Sequence, residues 1–125
     1  MTSRMLGLRT TIYRVSDVDK AKAWYAEAFG TQPYFDDAFY VGFNIGGYEL
    51  GLMRDETPAG DKTVSVVSYW GVEDVKSAVA HLTALGARVT EKPTNVGGEI
   101  VVAAVSDPWG NALGVIYNPE FRATP

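Results

Sequence analysis

Few side chains in this 125-residue chain can carry chemistry, and their scarcity narrows the field. There is no cysteine, so there is no disulfide, no thiolate zinc site and no thiol nucleophile. The one histidine, His81, lies off the apolar stripe of a helical segment and reads as solvent-facing, which leaves no Ser-His-Asp or Cys-His arrangement. Gly46-Gly47 and Gly97-Gly98 lack the spacing of a phosphate cradle and read as hairpin turns. What remains is a carboxylate, Glu49, in the run Tyr48-Glu49-Leu50-Gly51-Leu52, together with aromatic and small residues in similar runs. Side chains alternate across a strand, so Glu49 shares a face with Gly51 and Met53, Val67 with Tyr69, and Gly114 with Ala112 and Ile116. A carboxylate in apolar surroundings can serve as acid, base or anchor for a cation. Glycine inside a strand weakens it and often marks a place that a ligand approaches closely. Gly51 and Gly114 are therefore the second informative feature. Trp109, in the turn before the last run, offers either a ligand surface or a plug for the sheet edge. Glu99 has a weaker claim, the facing of Tyr40, Phe43 and Asn44 depends on register, and Trp24 reads as helix packing.

The elements that must hold these residues come in a repeated order. Leu8 to Val15 is a strand pattern, and Ser16-Asp17 can cap a helix over Val18 to Phe29 that Gly30 ends. Gln32-Pro33-Tyr34-Phe35 starts the next segment, Asp36-Asp37 turns, and strands follow at Phe39 to Ile45 and Tyr48 to Met53. The order then recurs: a strand over Thr63 to Trp70, a helix over Val75 to Leu85 ended by Gly86, and strands at Arg88 to Glu91, Glu99 to Val105 and Ala112 to Tyr117. Val15-Ser16-Asp17-Val18 and Ala21 reappear as Val72-Glu73-Asp74-Val75 and Ala78, and Phe29-Gly30 as Leu85-Gly86. Each half reads strand, helix, three strands, and is too small to bury both faces of its sheet alone. The expectation is one α+β domain over 1–125, with modules at 8–54 and 63–119, a linker at 55–62 and a tail at 120–125.

Composition sets the outer bounds. An apolar share of 46% is ordinary for a globular domain. A net charge of -4 disfavours nucleic acid, which wants a basic face, and mildly favours a cationic ligand. No apolar run is long enough to span a membrane, and the first residues lack a secretory apolar core. A cytoplasmic location is expected.

The paired halves, Val15-Ser16-Asp17 leading into Ala23-Trp24-Tyr25, and Asp107-Pro108-Trp109-Gly110-Asn111 before the last strand resemble the vicinal oxygen chelate superfamily. That group includes glyoxalase I, bleomycin-resistance proteins and extradiol dioxygenases. The resemblance spans residues 8–119 and implies two tandem βαβββ modules forming an open cup, often in a homodimer. It also implies metal ligands on the first and last strands of each half, at Thr10, Gly51, Val67 and Gly114. None of these residues is a credible ligand, so the expectation is no metal and no cofactor. Two glycines and a valine there imply a roomy apolar floor, around which Glu49, Gly51, Met53, Val67, Tyr69, Trp109 and Gly114 would touch a ligand. In such a cup the Glu49 carboxyl is expected to have a raised pKa. Two readings compete. One is a metal-independent small-molecule binder that sequesters an aromatic or cationic compound, with Glu49 as anchor. The other is a lyase or isomerase resembling glyoxalase I, with Glu49 as general base.

Overall fold

A computed structural model describes residues 8–55 and 67–119. The elements run β1 (Thr10–Val15), α1 (Val18–Phe29), β2 (Phe35–Asp36), β3 (Tyr40–Ile45) and β4 (Tyr48–Arg54), then β5 (Ser68–Gly71), α2 (Val75–Ala84), β6 (Arg88–Gly97), β7 (Ile100–Ser106) and β8 (Ala112–Tyr117). The strands form two four-stranded sheets, ordered β1-β4-β3-β2 and β5-β8-β7-β6. Both halves thus have the βαβββ order read from the sequence. The chain divides into two compact units, residues 1–56 and 57–125.

In the first unit the helix forms because Asp17 caps it, its carboxylate accepting the Lys20 backbone N–H at 3.0 Å. Such a cap is worth about 1 kcal/mol. Gly30 closes the other end at φ 63°, in the left-handed region that favours glycine. Val18, Ala21 and Tyr25 form the buried stripe, while Tyr13, Val15, Val41, Phe43, Leu50 and Leu52 are buried on the strands. The Tyr13 and Tyr25 rings stack at 5.7 Å between centroids. Each large apolar side chain buried in this way contributes roughly 1.5–3 kcal/mol. Strand β1 runs parallel to β4, pairing Thr10 with Glu49 and Ile12 with Gly51. The tight Gly46-Gly47 turn joins β3 and β4, with both glycines at positive φ. It sets the antiparallel pairing Asn44 with Glu49, Gly42 with Gly51 and Tyr40 with Met53.

The second unit repeats the plan. Asp74 caps α2, accepting the Ser77 N–H at 3.3 Å, and Val75, Val79 and Leu82 form its buried stripe. His81 is exposed on the last turn, as its sequence position suggested. Residues 63–66 of the expected first strand lie outside the described residues, as do 56–62 of the expected linker and the 120–125 tail. One strand is longer than its sequence suggested. The Arg88–Glu91 segment, expected to stop before Pro93, continues to Gly97. Proline is tolerated because β6 is an edge strand whose pairing with β7 slips between Val89 and Glu91, between Glu91 and Thr94, and between Asn95 and Gly97.

The turn from Asp107 to Asn111 is a self-contained lock. One Asp107 carboxylate oxygen accepts the Trp109 and Asn111 N–H groups at 2.9 and 2.8 Å, and the other accepts the Asn111 side-chain amide at 3.0 Å. Asp107, Trp109 and Asn111 are all buried. Trp109, expected to offer either a ligand surface or a plug for the sheet edge, is 6% exposed.

Candidate ligand-binding site

Burial alternates along β1, while β3 and β4 each bury three residues in a row, Val41 to Phe43 and Leu50 to Leu52. Leu50 and Leu52 are fully buried with α1's partners, whereas Ile12 and Phe35 on the opposite parity are 44% and 47% exposed. Register places Thr10, Glu49 and Asn44 in one row across this second face, Ile12, Gly51 and Gly42 in the next, and Arg14, Met53 and Tyr40 in the third. Phe35 stands opposite Gly42 on the edge. Of the residues proposed from sequence, Glu49, Gly51 and Met53 share this face.

Glu49 is its chemical centre. The Thr10 hydroxyl donates to Glu49 Oε1 at 2.9 Å. The Tyr34 hydroxyl donates a short bond to Oε2. The Tyr40 phenol lies over Gly51 in the next row, close enough to feel the same carboxylate. The hydroxyl donors, Tyr34 foremost, hold the Glu49 carboxyl below its ordinary range; partial burial acts the other way and loses. The expected rise in its pKa is thus overturned. Apolar surroundings were only half the environment, and the hydroxyls stabilise the ionised form. The tyrosines shift in response. Tyr34 is raised, mainly by its bond to Glu49. Tyr40 is pushed up to about 12, first by burial and then by the neighbouring Glu49 carboxylate.

The glycines do not leave an empty floor. A Cβ on Gly51 would meet Tyr40 Cζ at 2.7 Å and Cε1 at 2.8 Å, and one on Gly42 would meet Glu49 Oε2 at 2.7 Å and Tyr34 Cε1 at 3.1 Å. The facing pair Gly42 and Gly51 makes room for two phenols, of which Tyr34 reaches the carboxylate. The roomy apolar cup expected from Gly51 and Gly114 is corrected accordingly: the second glycine is covered too. A Cβ on Gly114 would meet Tyr69 Cδ1 at 2.6 Å. Tyr69, 42% exposed, points its hydroxyl at Glu91 Oε1 at 3.4 Å. Burial first, then the Glu91 charge, raises the Tyr69 pKa. Tyr69 and Gly114 therefore belong together in the second unit with Glu91. Val67 is half-buried just ahead of β5.

Sequence reasoning missed Tyr34, Thr10 as a donor, and Glu91. The two-residue turn at Gly46-Gly47 carried a usable signal, because it fixes the pairing that lines Tyr40 and Gly42 up with the Glu49 face. Tyr34 precedes a two-residue strand, and Glu91 lies between pairing slips, so no periodicity announced either.

The positions where the family resemblance expects metal ligands do not suit a divalent ion. The Thr10 hydroxyl is committed to Glu49, Gly51 and Gly114 carry no donor and are covered by phenols, and Val67 is an alkyl group. Among the described residues no three His, Cys, Asp or Glu side chains cluster closely enough to hold one. A separate depression of about 670 Å³ lies at the start of α1, lined by Asp17, Asp19, Asp36, Asp37 and Arg54 among others. Its acids already have work. Asp17 caps the helix, Asp36 pairs with Lys22 at 2.9 Å, and Asp37 accepts the Phe39 N–H at 2.8 Å. No helix among the described residues is long and apolar enough to cross a membrane.

Comparison with known proteins gives one consistent result. The family model Glyoxalase/Bleomycin resistance protein/Dioxygenase superfamily matches residues 7–115. A glyoxalase-related enzyme from Fulvimarina pelagi is 17% identical at a TM-score of 0.75, over 92% of this chain and 90% of that one. The bleomycin resistance determinant encoded on transposon Tn5 is 21% identical at a TM-score of 0.69, over 90% of this chain and 98% of that one. An integron cassette protein from V. cholerae is 20% identical at a TM-score of 0.68, over 94% and 98% respectively. At such identities the likeness speaks for the fold. Curated sequences give no match.

Proposed function

The chain belongs to the glyoxalase/bleomycin resistance/dioxygenase superfamily, and within it we propose a metal-independent binder that sequesters a small cationic or aromatic molecule on the Glu49 face. The observation that carries this is the carboxylate itself. Thr10 and Tyr34 hold it ionised on a face that also bears exposed aromatic surface, with Tyr34 65% and Phe35 47% exposed. A fixed negative charge beside aromatic rings suits a cation with an apolar body. The likeness to a bleomycin resistance determinant supports a sequestering role. Met53 borders the face, and Tyr69 and Gly114 form a second aromatic patch for the same class of ligand. The reading includes a homodimer acting in the cytoplasm.

The competing reading, a lyase or isomerase with Glu49 as general base, fits the site less well. A carboxylate held below its ordinary pKa is a weaker base, and each of its oxygens already accepts from a hydroxyl. The test is tyrosine and tryptophan fluorescence during titration with a panel of cationic aromatic compounds. Quenching that saturates in the native protein and weakens at least about tenfold in Glu49→Ala supports the binder. Silence across the panel, with turnover of a methylglyoxal hemithioacetal, would establish the enzyme instead.

A further inference from the structure

The ligand class can be narrowed from how the Glu49 oxygens are used, and this narrowing rests on the binding role proposed above. An ionised carboxylate offers about four acceptor positions. Thr10 takes one on Oε1 and Tyr34 takes one on Oε2. Both oxygens are thus already shared with a hydroxyl, and the negative charge remains. Phenol rings lie beside that charge. Tyr40's phenol sits over Gly51 and Tyr34's over Gly42, residues that face each other across β3 and β4. The Phe35 ring stands 6.3 Å from that of Tyr40 at an angle of 49°. Tyr34 thus touches the anion, Tyr40 covers the next row and Phe35 flanks Tyr40. Arg14 is on the same face, two rows from Glu49 along β1 and in the row of Met53 and Tyr40, so Glu49 is the charge that Tyr34 touches.

We propose that the Glu49 face is a quaternary-ammonium site, in which Tyr34, Phe35 and Tyr40 contact the alkyl groups of the cation and Glu49 supplies charge rather than a hydrogen bond. A primary ammonium or a guanidinium needs acceptors to replace its lost water, and here it must share both carboxylate oxygens with hydroxyls already bonded to them. A tetra-alkylated nitrogen asks for none. It is weakly hydrated and gains from ring faces and a neighbouring anion alone.

The test uses the full chain and three probes that share one ring: benzyltrimethylammonium, benzylammonium and benzyl alcohol. Binding is followed by two-dimensional NMR, with the Tyr34, Phe35 and Tyr40 ring signals as reporters. The quaternary probe is expected to bind about five- to tenfold tighter than either of the others. Glu49→Gln should remove that preference while keeping the side-chain shape. Phe35→Ala, at an exposed edge position, should weaken the quaternary probe without unfolding the protein. Equal or tighter binding of benzylammonium overturns the inference, because Glu49 would then act as a hydrogen-bond acceptor; the broader binding role would stand. Equal binding of all three also overturns it, leaving stacking alone. If no probe binds while the drug panel still quenches fluorescence, the quaternary-ammonium class falls by itself. Silence in both experiments removes the binding role as well.

Discussion

Gly51→Ala puts the packing account under the sharpest strain. A methyl at this position would stand 2.7 Å from Tyr40 Cζ and 2.8 Å from Cε1, where ordinary contact begins at 3.4 Å. The Tyr40 hydroxyl would stand closer still, so the phenol must swing off Gly51 or the strand must shift. Overpacking of this kind costs about 1–3 kcal/mol. Replacing glycine by alanine returns roughly 0.5–1 kcal/mol by lowering the entropy of the unfolded chain. The net expectation is a loss of about 1–2 kcal/mol. With a urea slope near 2 kcal/mol/M, the midpoint should fall by about 0.5–1 M. The same variant should release Tyr40 from burial and from Glu49, so ultraviolet titration should show one tyrosine moving down from about 12 towards 10.0. An unchanged midpoint together with an unchanged tyrosine titration would refute the idea that glycine is present here to seat the phenol.

Three further outcomes follow from the same geometry. Tyr34→Phe removes the leading donor to Glu49 and should raise that carboxyl towards 4.5, as read from the pH dependence of its carbon-13 shift. The folded Glu49 value lies below the unfolded one. Its contribution to stability is therefore fully present above about 4.5 and is lost as pH falls through the folded value, so acid unfolding of Tyr34→Phe should lose part of its pH dependence in that window. Tyr40 is raised instead, so its contribution holds below 10.0 and is lost as pH rises through about 12; Tyr40→Phe should flatten alkaline destabilisation in that interval, measured by thermal melts. Asp107→Ala strips the buried Trp109 and Asn111 N–H groups of their acceptor and should cost about 2–4 kcal/mol in denaturant unfolding.

Much of the architecture was legible because short-range chemistry specified it. Asp17 and Gly30 bracket α1 over the span the apolar spacing indicated, and the Asp107-to-Asn111 turn announced the last strand. The repeat of strand, helix and three strands followed from those markers. What failed was of another kind. Gly51 and Gly114 were rightly singled out as unusual, but a glycine in a strand does not say which side chain has moved into its space. Tyr40 reaches Gly51 from the diagonal of a neighbouring strand, and Tyr69 reaches Gly114 from the strand paired with it. The Glu49 pKa was misjudged for the same reason. Thr10 and Tyr34 are distant from it in sequence, and only sheet pairing delivers their hydroxyls. Trp109 illustrates the converse, since it lies in a turn and is nevertheless buried. Strand β6 ran past Pro93 because an irregular edge can spare the lost donor.

The most direct measurement is a crystal structure of the protein soaked with benzyltrimethylammonium. The expected result is ligand density on the first sheet, with the cationic nitrogen against the Glu49 carboxylate and its methyl groups on the Tyr34, Phe35 and Tyr40 rings. Density confined to any other surface, with those three rings and Glu49 bare, would contradict the assignment of this face as the binding site.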